Sequence, residues 1–222
     1  MKILVRVLLI FLLVTSNVIM ASTWLDNISF KESLAKKLNC WNYPKIDKLQ
    51  NRFECEEALL GVSNALYDGW LKSDKFERKD DLLRFWNRGD TKSEVINNIF
   101  ANPLIRLNVA SLIGQLNRVT SSSIDTTDHR DYVMAFIRDE NIMFMVDSID
   151  ALGWVGKKED TSILLEIISE EREGLAESAV LSIINLLDGQ HNCKLFEINK
   201  TVKREALKAF INEKLRNNTG CP

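Results

Sequence analysis

The chain has 222 residues, of which 45% are hydrophobic and 27% are charged, a composition that is typical of folded globular proteins and excludes a disordered chain. Its 31 acidic and 29 basic residues give a net charge of −2, and the sequence has no basic cluster, so we expect no nucleic-acid partner. Only three prolines and nine glycines predict long helices rather than many turns, so the expected fold class is all-α.

The first 21 residues have the composition of a secretory signal peptide. Lys2 and Arg6 supply positive charge, residues 7–14 form an apolar run, and cleavage is expected after Ala21. The alternative is an uncleaved anchor, but the run is shorter than the ~20 apolar residues that a membrane span requires. We therefore expect a periplasmic or secreted protein with no stable membrane insertion after cleavage and a mature net charge of −4.

The four cysteines of an exported chain predict disulfides. Three pairings are possible, and proximity in the sequence favours Cys40–Cys55 and Cys193–Cys221, one near each end of the mature chain. A metal site built on His191 and Cys193 is the alternative, yet no second ligand pair follows at the spacing that zinc requires. We therefore expect two disulfides and neither a metal nor another cofactor.

Residues 22–90 are predicted to form a small N-terminal helical unit. The apolar spacing of Cys55, Leu59 and Leu66 predicts an amphipathic helix that ends near Gly69. Shorter helices precede and follow it, and the predicted Cys40–Cys55 bond would staple the unit.

From residue 91 the sequence becomes repetitive. Residues 102–116 and 141–155 both begin with Asn, remain apolar at helical spacing and place a glycine at the same offset, Gly114 and Gly153, 39 residues apart. Both asparagines are predicted helix caps, Pro103 is the expected first residue of its helix, and Gly153 and Gly156 are expected to close the second helix. The second cycle is predicted to open with a helix from Asp128 through Ile137, and a third cycle opens near Asp160, about 32 residues later. Each cycle is predicted to be two antiparallel helices joined by a turn, and such a period is typical of stacked helical pairs that share one core.

This repeat resembles the HEAT-repeat family, in particular its short bacterial form. The resemblance rests on residues 102–114 and 151–156 and covers residues 91–187. Two features depart from the pattern: proline occurs only in the first unit, and Asn185 stands where the third unit would have glycine. The resemblance implies a helical-hairpin solenoid over residues 91–222 with a C-terminal capping helix, in which the second helix of each pair lines a groove.

A polar stripe on these second helices is the candidate partner-binding surface. In the first unit the predicted core stripe is Ile105, Val109, Leu112 and Leu116. The opposite stripe of that helix, and its equivalent 39 residues later, are Asn108, Ser111, Gln115, Asp147, Asp150 and Trp154. A further shift of 32 residues gives Ala179, Ser182 and Leu186. An aromatic residue beside charged residues is typical of a binding anchor. The alternative is that Trp154 packs on a neighbouring helix and both aspartates are only solvated.

The sequence offers few groups for catalysis. Asp147 and Asp150 lie on one helix face, whereas catalytic carboxylates bracket their substrate from separate elements, and nothing in the sequence separates their pKa values. His129 and His191 lie near helix ends, where we expect surface or capping roles. Nucleophile-elbow, phosphate-loop and zinc-protease motifs are absent from the sequence.

We therefore expect a protein-binding module rather than an enzyme. Its acidic stripe favours a basic protein as the partner. The most specific hypothesis is an inhibitor or immunity protein that acts in the bacterial periplasm. The alternative is an envelope assembly or scaffold subunit built on HEAT-like repeats.

Overall fold

The computed structural model describes most of the C-terminal half of the chain and a few earlier positions. The described residues are 54, 55, 57–61, 64, 82, 83, 86, 87, 102–120, 123–188 and 190–215. These residues form helices and connections and contain no strand, which confirms the all-α class. The predicted signal peptide, Cys40 and Cys221 lie outside the described residues. Among the described helices, none combines the length and the apolar character that crossing a bilayer requires.

The chain divides into two compact units, each considered by itself. One comprises Met1–Asp74 and Thr91–Asn102, and the other comprises Lys75–Asp90 and Pro103–Pro222. In the first unit the described residues between 54 and 61 are helical, and Cys55, Ala58 and Leu59 are buried. The second unit contains the predicted repeats from residue 103 onward and the candidate site.

Seven helices and one 3₁₀ turn are described in the second unit from residue 103 onward. They are α1 (Pro103–Thr120), α2 (Thr127–Met134), α3 (Ile142–Val155), the turn Lys158–Asp160, α4 (Thr161–Ser169), α5 (Leu175–Leu187), α6 (Asn192–Thr201) and α7 (Glu205–Leu215).

These helices pack in two layers. Helix α3 lies between α1 and α5 and contacts both, and α7 contacts α5. The shorter helices α2 and α4 cover this layer, α2 on α3 and α4 on α5, and α6 contacts both α4 and α7. The second helices of the predicted pairs therefore lie side by side in one layer, and the first helices of the second and third pairs lie in the other.

Helix α1 buries the stripe that the sequence predicted, and more. Ile105, Val109, Leu112 and Leu116 are all buried, which confirms the predicted core stripe. Leu104, Leu107, Ala110 and Ile113 are buried as well, so apolar contacts cover more of α1 than one stripe. Apolar residues at three- and four-residue spacing explain this burial.

Glycines inside these helices mark close contacts rather than helix ends. The sequence predicted that Gly153 helps to close α3, but Gly153 lies within the helix and the C-cap is Gly156. A Cβ atom on Gly153 would lie 2.8 Å from Cα of Ser182 in α5. A Cβ atom on Gly114 would lie 2.8 Å from the backbone carbonyl carbon of Trp154 in α3. The two glycines therefore allow α3 to approach α5 and α1 closely.

Side-chain caps and a buried ion pair hold the connections between helices. Asn141 caps α3 as predicted, since its side-chain oxygen accepts a hydrogen bond from the Met143 amide at 3.0 Å. Asp160 is buried and accepts hydrogen bonds from two guanidinium nitrogens of Arg130, at 2.7 and 2.5 Å, and from the Lys157 amide. This pair ties the turn before α4 to α2.

Candidate functional site

Helices α1 and α3 bring the six predicted partner-binding residues together on one surface. We call it the α1–α3 polar face, and it consists of Asn108, Ser111, Gln115, Asp147, Asp150 and Trp154. Ser111 is buried, Asp150 is exposed, and the other four side chains are partly exposed. The face is therefore open to solvent in part, and its polar atoms are available to a ligand from one side.

Two hydrogen bonds join α1 to α3 across this face. The Asn108 amide nitrogen Nδ2 donates to Oδ2 of Asp147 at 3.1 Å, and the Ser111 hydroxyl donates to Oδ2 of Asp150 at 3.3 Å. Both pairs are separated by 39 residues, so equivalent positions of the two helices are neighbours. Gln115 extends the network, because its Nε2 donates to the Ser111 hydroxyl oxygen at 3.3 Å.

Both carboxyl groups have raised pKa values. The pKa of Asp147 is raised to about 7, mainly by desolvation and also by the negative charge of Asp150, while the hydrogen bond from Asn108 acts in the opposite direction. Desolvation also raises the pKa of Asp150, against the effect of the hydrogen bond from Ser111. The Asp150 side chain is exposed, yet nearby protein atoms still reduce the hydration of its carboxylate.

The donors that reach these carboxyls are neutral. Among the described residues, only the side chains of Asn108 and Ser111 donate hydrogen bonds to Asp147 and Asp150, and no cation forms an ion pair with either. An ionised carboxylate that is partly desolvated and has no neighbouring cation is destabilised. The α1–α3 polar face can therefore accept a positive group from outside.

Trp154 is partly exposed and carries an arginine on its ring. The Arg118 guanidinium lies 5.2 Å from the centre of the Trp154 ring, within cation–π distance. The same guanidinium donates hydrogen bonds to the carbonyl oxygens of Gly153, at 2.8 Å, and Asn185. Arg118 was not predicted as a site residue, because a single basic residue near a helix end gives no signal of the tryptophan that it contacts.

The predicted continuation of the polar stripe onto α5 is wrong. Ala179, Ser182 and Leu186 are all buried. The Ser182 hydroxyl donates to the Ile149 carbonyl oxygen at 2.8 Å, so it satisfies the backbone of α3 instead of facing a ligand. The reason is the close approach of α5 to α3 at Gly153, which covers these positions.

The raised pKa values do not by themselves make the two aspartates a catalytic pair. A carboxyl group with a pKa of about 7 can give or take a proton near neutral pH. Asp147 and Asp150, however, extend from one helix and both bond to α1, whereas paired carboxylates in hydrolysis face the substrate from opposite sides. This geometry suits binding of a positive charge better than acid–base chemistry.

The two histidines of the chain differ from their prediction. His129 was expected to have a surface or capping role, but it is buried and its ring stacks on Trp86 with the ring centres 4.2 Å apart. His191 is also buried. His191 occupies the N-cap position of α6, but its side chain forms no capping hydrogen bond.

The described cysteines give partial information about the predicted disulfides. Neither Cys55 nor Cys193 is a free thiol. Cys40 and Cys221 lie outside the described residues, so the pairs Cys40–Cys55 and Cys193–Cys221 stay predictions. Within the described part of the chain, no three His, Cys, Asp or Glu side chains are grouped as metal ligands.

Comparison with known proteins gives no match: no family model fits this chain, and no curated protein and no solved structure is similar to it. Membership of the HEAT-repeat family therefore stays a prediction, and the interpretation of the α1–α3 polar face depends on its own geometry.

Proposed function

We propose that the chain is an exported, non-enzymatic binding module built from HEAT-like helical pairs, and that its α1–α3 polar face receives a basic protein. One observation carries this proposal. Two aspartates of α3 lie on a partly open surface and receive hydrogen bonds from neutral side chains of α1, with no cation paired to either among the described residues.

The electrostatics of the face favour a Lys or Arg side chain of the partner. A cation placed beside Asp147 and Asp150 stabilises their ionised forms. It lowers pKa values that desolvation raises for both and that the charge of Asp150 also raises for Asp147. Hydrogen bonds between a cationic donor and a carboxylate are also stronger than those between neutral groups. We therefore expect the face to bind a positively charged partner more tightly than a neutral or negative one.

Trp154 supplies the apolar part of the proposed contact. Its ring is partly exposed at the edge of the face, with Arg118 above it. Tryptophan is enriched among the residues that dominate the affinity of protein interfaces. A basic side chain beside an apolar one on the partner would therefore match the aspartates and the indole together.

The architecture and the sequence support a more specific form of this proposal. The side-by-side packing of α1, α3 and α5 is the arrangement that a helical-hairpin solenoid needs. An acidic mature chain behind a signal peptide suits an inhibitor or immunity protein of the bacterial periplasm that blocks a basic toxin or enzyme. The two predicted disulfides suit the same oxidising compartment.

The test uses three forms of the mature chain as bait in extracts of the source cell envelope. They are the wild type, the variant Asp147→Asn/Asp150→Asn, and the charge-matched control Glu159→Gln/Glu173→Gln, whose residues are exposed. We expect one basic protein to bind the wild type and the control with 1:1 stoichiometry, and binding to the site variant to fall at least roughly tenfold.

The identity of the captured protein then distinguishes the inhibitor hypothesis from the scaffold hypothesis. An enzyme or lytic toxin that loses activity when the mature chain is added at a 1:1 ratio supports the inhibitor. A set of structural envelope proteins supports the scaffold subunit instead. Equal binding of the partner to all three forms would show that the α1–α3 polar face is not the binding surface.

A further inference from the structure

A second cluster, outside the α1–α3 polar face, surrounds Trp86. The ring of His129 at the start of α2 stacks on it with ring centres 4.2 Å apart and ring planes 30° from parallel. Arg106 of α1 places its guanidinium 3.9 Å from the Trp86 ring centre and donates to the Trp86 carbonyl oxygen at 2.9 Å. Tyr132 meets the same ring edge-on at 5.5 Å. Trp86 is thus held by α1 and α2 together.

His129 is buried in this cluster without good hydrogen bonds. Only 4% of its surface is exposed, and neither ring nitrogen has a hydrogen-bond partner with good geometry. The Asp125 backbone lies close enough to the ring to raise the pKa of His129, as the last of its influences. A neutral imidazole tolerates this environment at moderate cost, whereas an imidazolium would bury two charged N–H donors without well-placed acceptors. The contact with Trp86 therefore depends on the neutral form.

The charges around His129 do not reverse this preference. Desolvation is the largest influence and lowers the pKa of His129; Asp128 raises it, Arg106 lowers it and Asp125 raises it, and the net direction is downward. The described residues of the segment that carries Trp86, namely Leu82, Leu83, Trp86 and Asn87, bring no charge. The ionisable residues of α3 are Asp147 and Asp150, and both bond to α1.

A protonated ring would also compete with a cation already in place. An imidazolium gains from contact with the electron-rich face of an indole, but Arg106 already lies on that indole at 3.9 Å. A second cation on the same ring meets the repulsion of the first and gives up its hydration. Moving Trp86 away relieves both costs at once.

We propose that His129 is the sensor of an acid-opened contact, in which protonation of its ring releases Trp86 from α1 and α2. At neutral pH the contact is closed and the indole is buried. In acid, the indole becomes accessible, and the free imidazolium regains water. The device needs no partner and is independent of the function proposed for the α1–α3 polar face.

The experiment follows both residues of the contact in the full mature chain with its cysteines oxidised. Because the chain has only two histidines, their ring C–H signals are easily followed by NMR as the pH is lowered. Hydrogen exchange of the peptide spanning residues 82–87, referred to an unstructured peptide of the same sequence, reports the release of Trp86. As pH falls below about 6.5, we expect this relative exchange to increase by roughly tenfold per pH unit until His129 titrates in the closed state.

Two variants remove the sensor, and one serves as a control. His129→Phe keeps an aromatic ring for stacking and cannot be protonated, so the acid-induced rise in exchange should disappear. His129→Gln gives a second non-titrating form if phenylalanine disturbs the packing. His191→Phe removes the other buried histidine and should leave the rise unchanged. An acid-induced rise that persists in both His129 variants would overturn the proposal, as would exchange at 82–87 that stays constant while His129 titrates.

Discussion

At the scale of single residues, Asp147 has an environment that opposes its own charge. Its carboxyl lies between two helices, near the carboxyl of Asp150, with a neutral amide as its donor. The pKa of about 7 means that folding favours the protonated form across the range between pH 4 and pH 7. A residue that costs stability near neutral pH and lies on an open face is typical of a binding surface.

The first prediction concerns the replacement Asp147→Asn. The folded pKa lies above the unfolded one, so the stability associated with this group is complete below about pH 4 and is lost as pH rises to about 7. The neutral amide keeps an oxygen for the bond from Asn108 and removes this loss. We expect the variant to be more stable than the wild type at pH 8 by about 1–2 kcal/mol, since partial exposure screens the full effect.

Urea unfolding at pH 8 and at pH 4 measures this difference, and the gain should shrink towards zero at pH 4. The exposed replacement Glu159→Gln is the control and should change little at either pH. A variant less stable than the wild type at pH 8 would show that the Asp147 carboxylate is a structural group. Increased stability together with weaker partner binding would identify it as a binding residue.

Residue-level predictions from the sequence succeeded where a repeat supplied the register. The shift of 39 residues paired Asn108 with Asp147 and Ser111 with Asp150, and both pairs are hydrogen-bonded. The burial that raises the pKa of Asp147 could not be predicted, because it depends on how closely α1 and α3 approach. The stacking of His129 on Trp86 was equally out of reach, since 43 residues and no repeat separate them.

At the scale of helices, the spacing of the α1, α3, α5 layer is set by two small residues. Gly114 faces the backbone of Trp154, and Gly153 faces the backbone of Ser182, with no room for a side chain at either place. Because backbone atoms are the obstacle, a neighbouring side chain cannot rotate away to make space.

The second prediction follows from this close approach. We expect Gly153→Ala to lower the free energy of unfolding by about 1–3 kcal/mol, although alanine favours helices more than glycine, because α3 and α5 must separate to admit the methyl group. Thermal and urea unfolding measure the change. Lys194→Ala on the exposed surface of α6 is the control. A Gly153→Ala variant with unchanged or increased stability would mean that the helices adjust freely at this contact.

Local signals predicted some helix boundaries and not others. Asn141 was expected to cap α3 and does so, and Pro103 is the first residue of α1 as expected. The end of α2 was placed too late: the helix stops at Met134, and residues 135–138 form turns. Capping side chains act on their own backbone and are visible in the sequence, whereas this helix end gives no comparable local signal.

At the scale of the whole molecule, the helices of residues 103–215 pack in two layers, and we expect the cysteines of the chain to be oxidised. Cys55 belongs to the first compact unit and Cys193 to the second, and neither is a free thiol. Cross-links of this kind stabilise mainly by restricting the unfolded chain, at ~3 kcal/mol for loops of a few tens of residues.

The third prediction is that reduction destabilises both units. We expect a lower melting temperature in the presence of a strong thiol reductant, with a loss of ~3 kcal/mol for each bridge. In the variant Cys193→Ser/Cys221→Ser, the reductant should cause only the loss that belongs to the first unit. Titration of the unfolded, unreduced protein should find no thiols, and a result of four would refute both predicted pairs.

The all-α class and the repeated pairs could be predicted at this scale because composition and periodicity act over many residues. A low content of proline and glycine favours helices along the whole chain. The repeated apolar spacing around Gly114 and Gly153 identified two helices of one layer. The third cycle was harder to interpret, since Ala179 and Ser182 look equally suited to a surface and to a contact between helices. Whether such small residues are exposed or buried depends on how closely the neighbouring helix approaches.

The close contacts at Gly114 and Gly153 also bear on how this chain can evolve. They constrain two positions to the smallest residue, while most side chains of the α1–α3 polar face border solvent and leave the spacing of the layer unchanged when they vary. If the α1–α3 polar face binds the proposed partner, natural variants can change partner specificity through Asp150, Gln115 or Trp154 without altering the scaffold. We expect homologous sequences to retain both glycines while the polar face diverges between them.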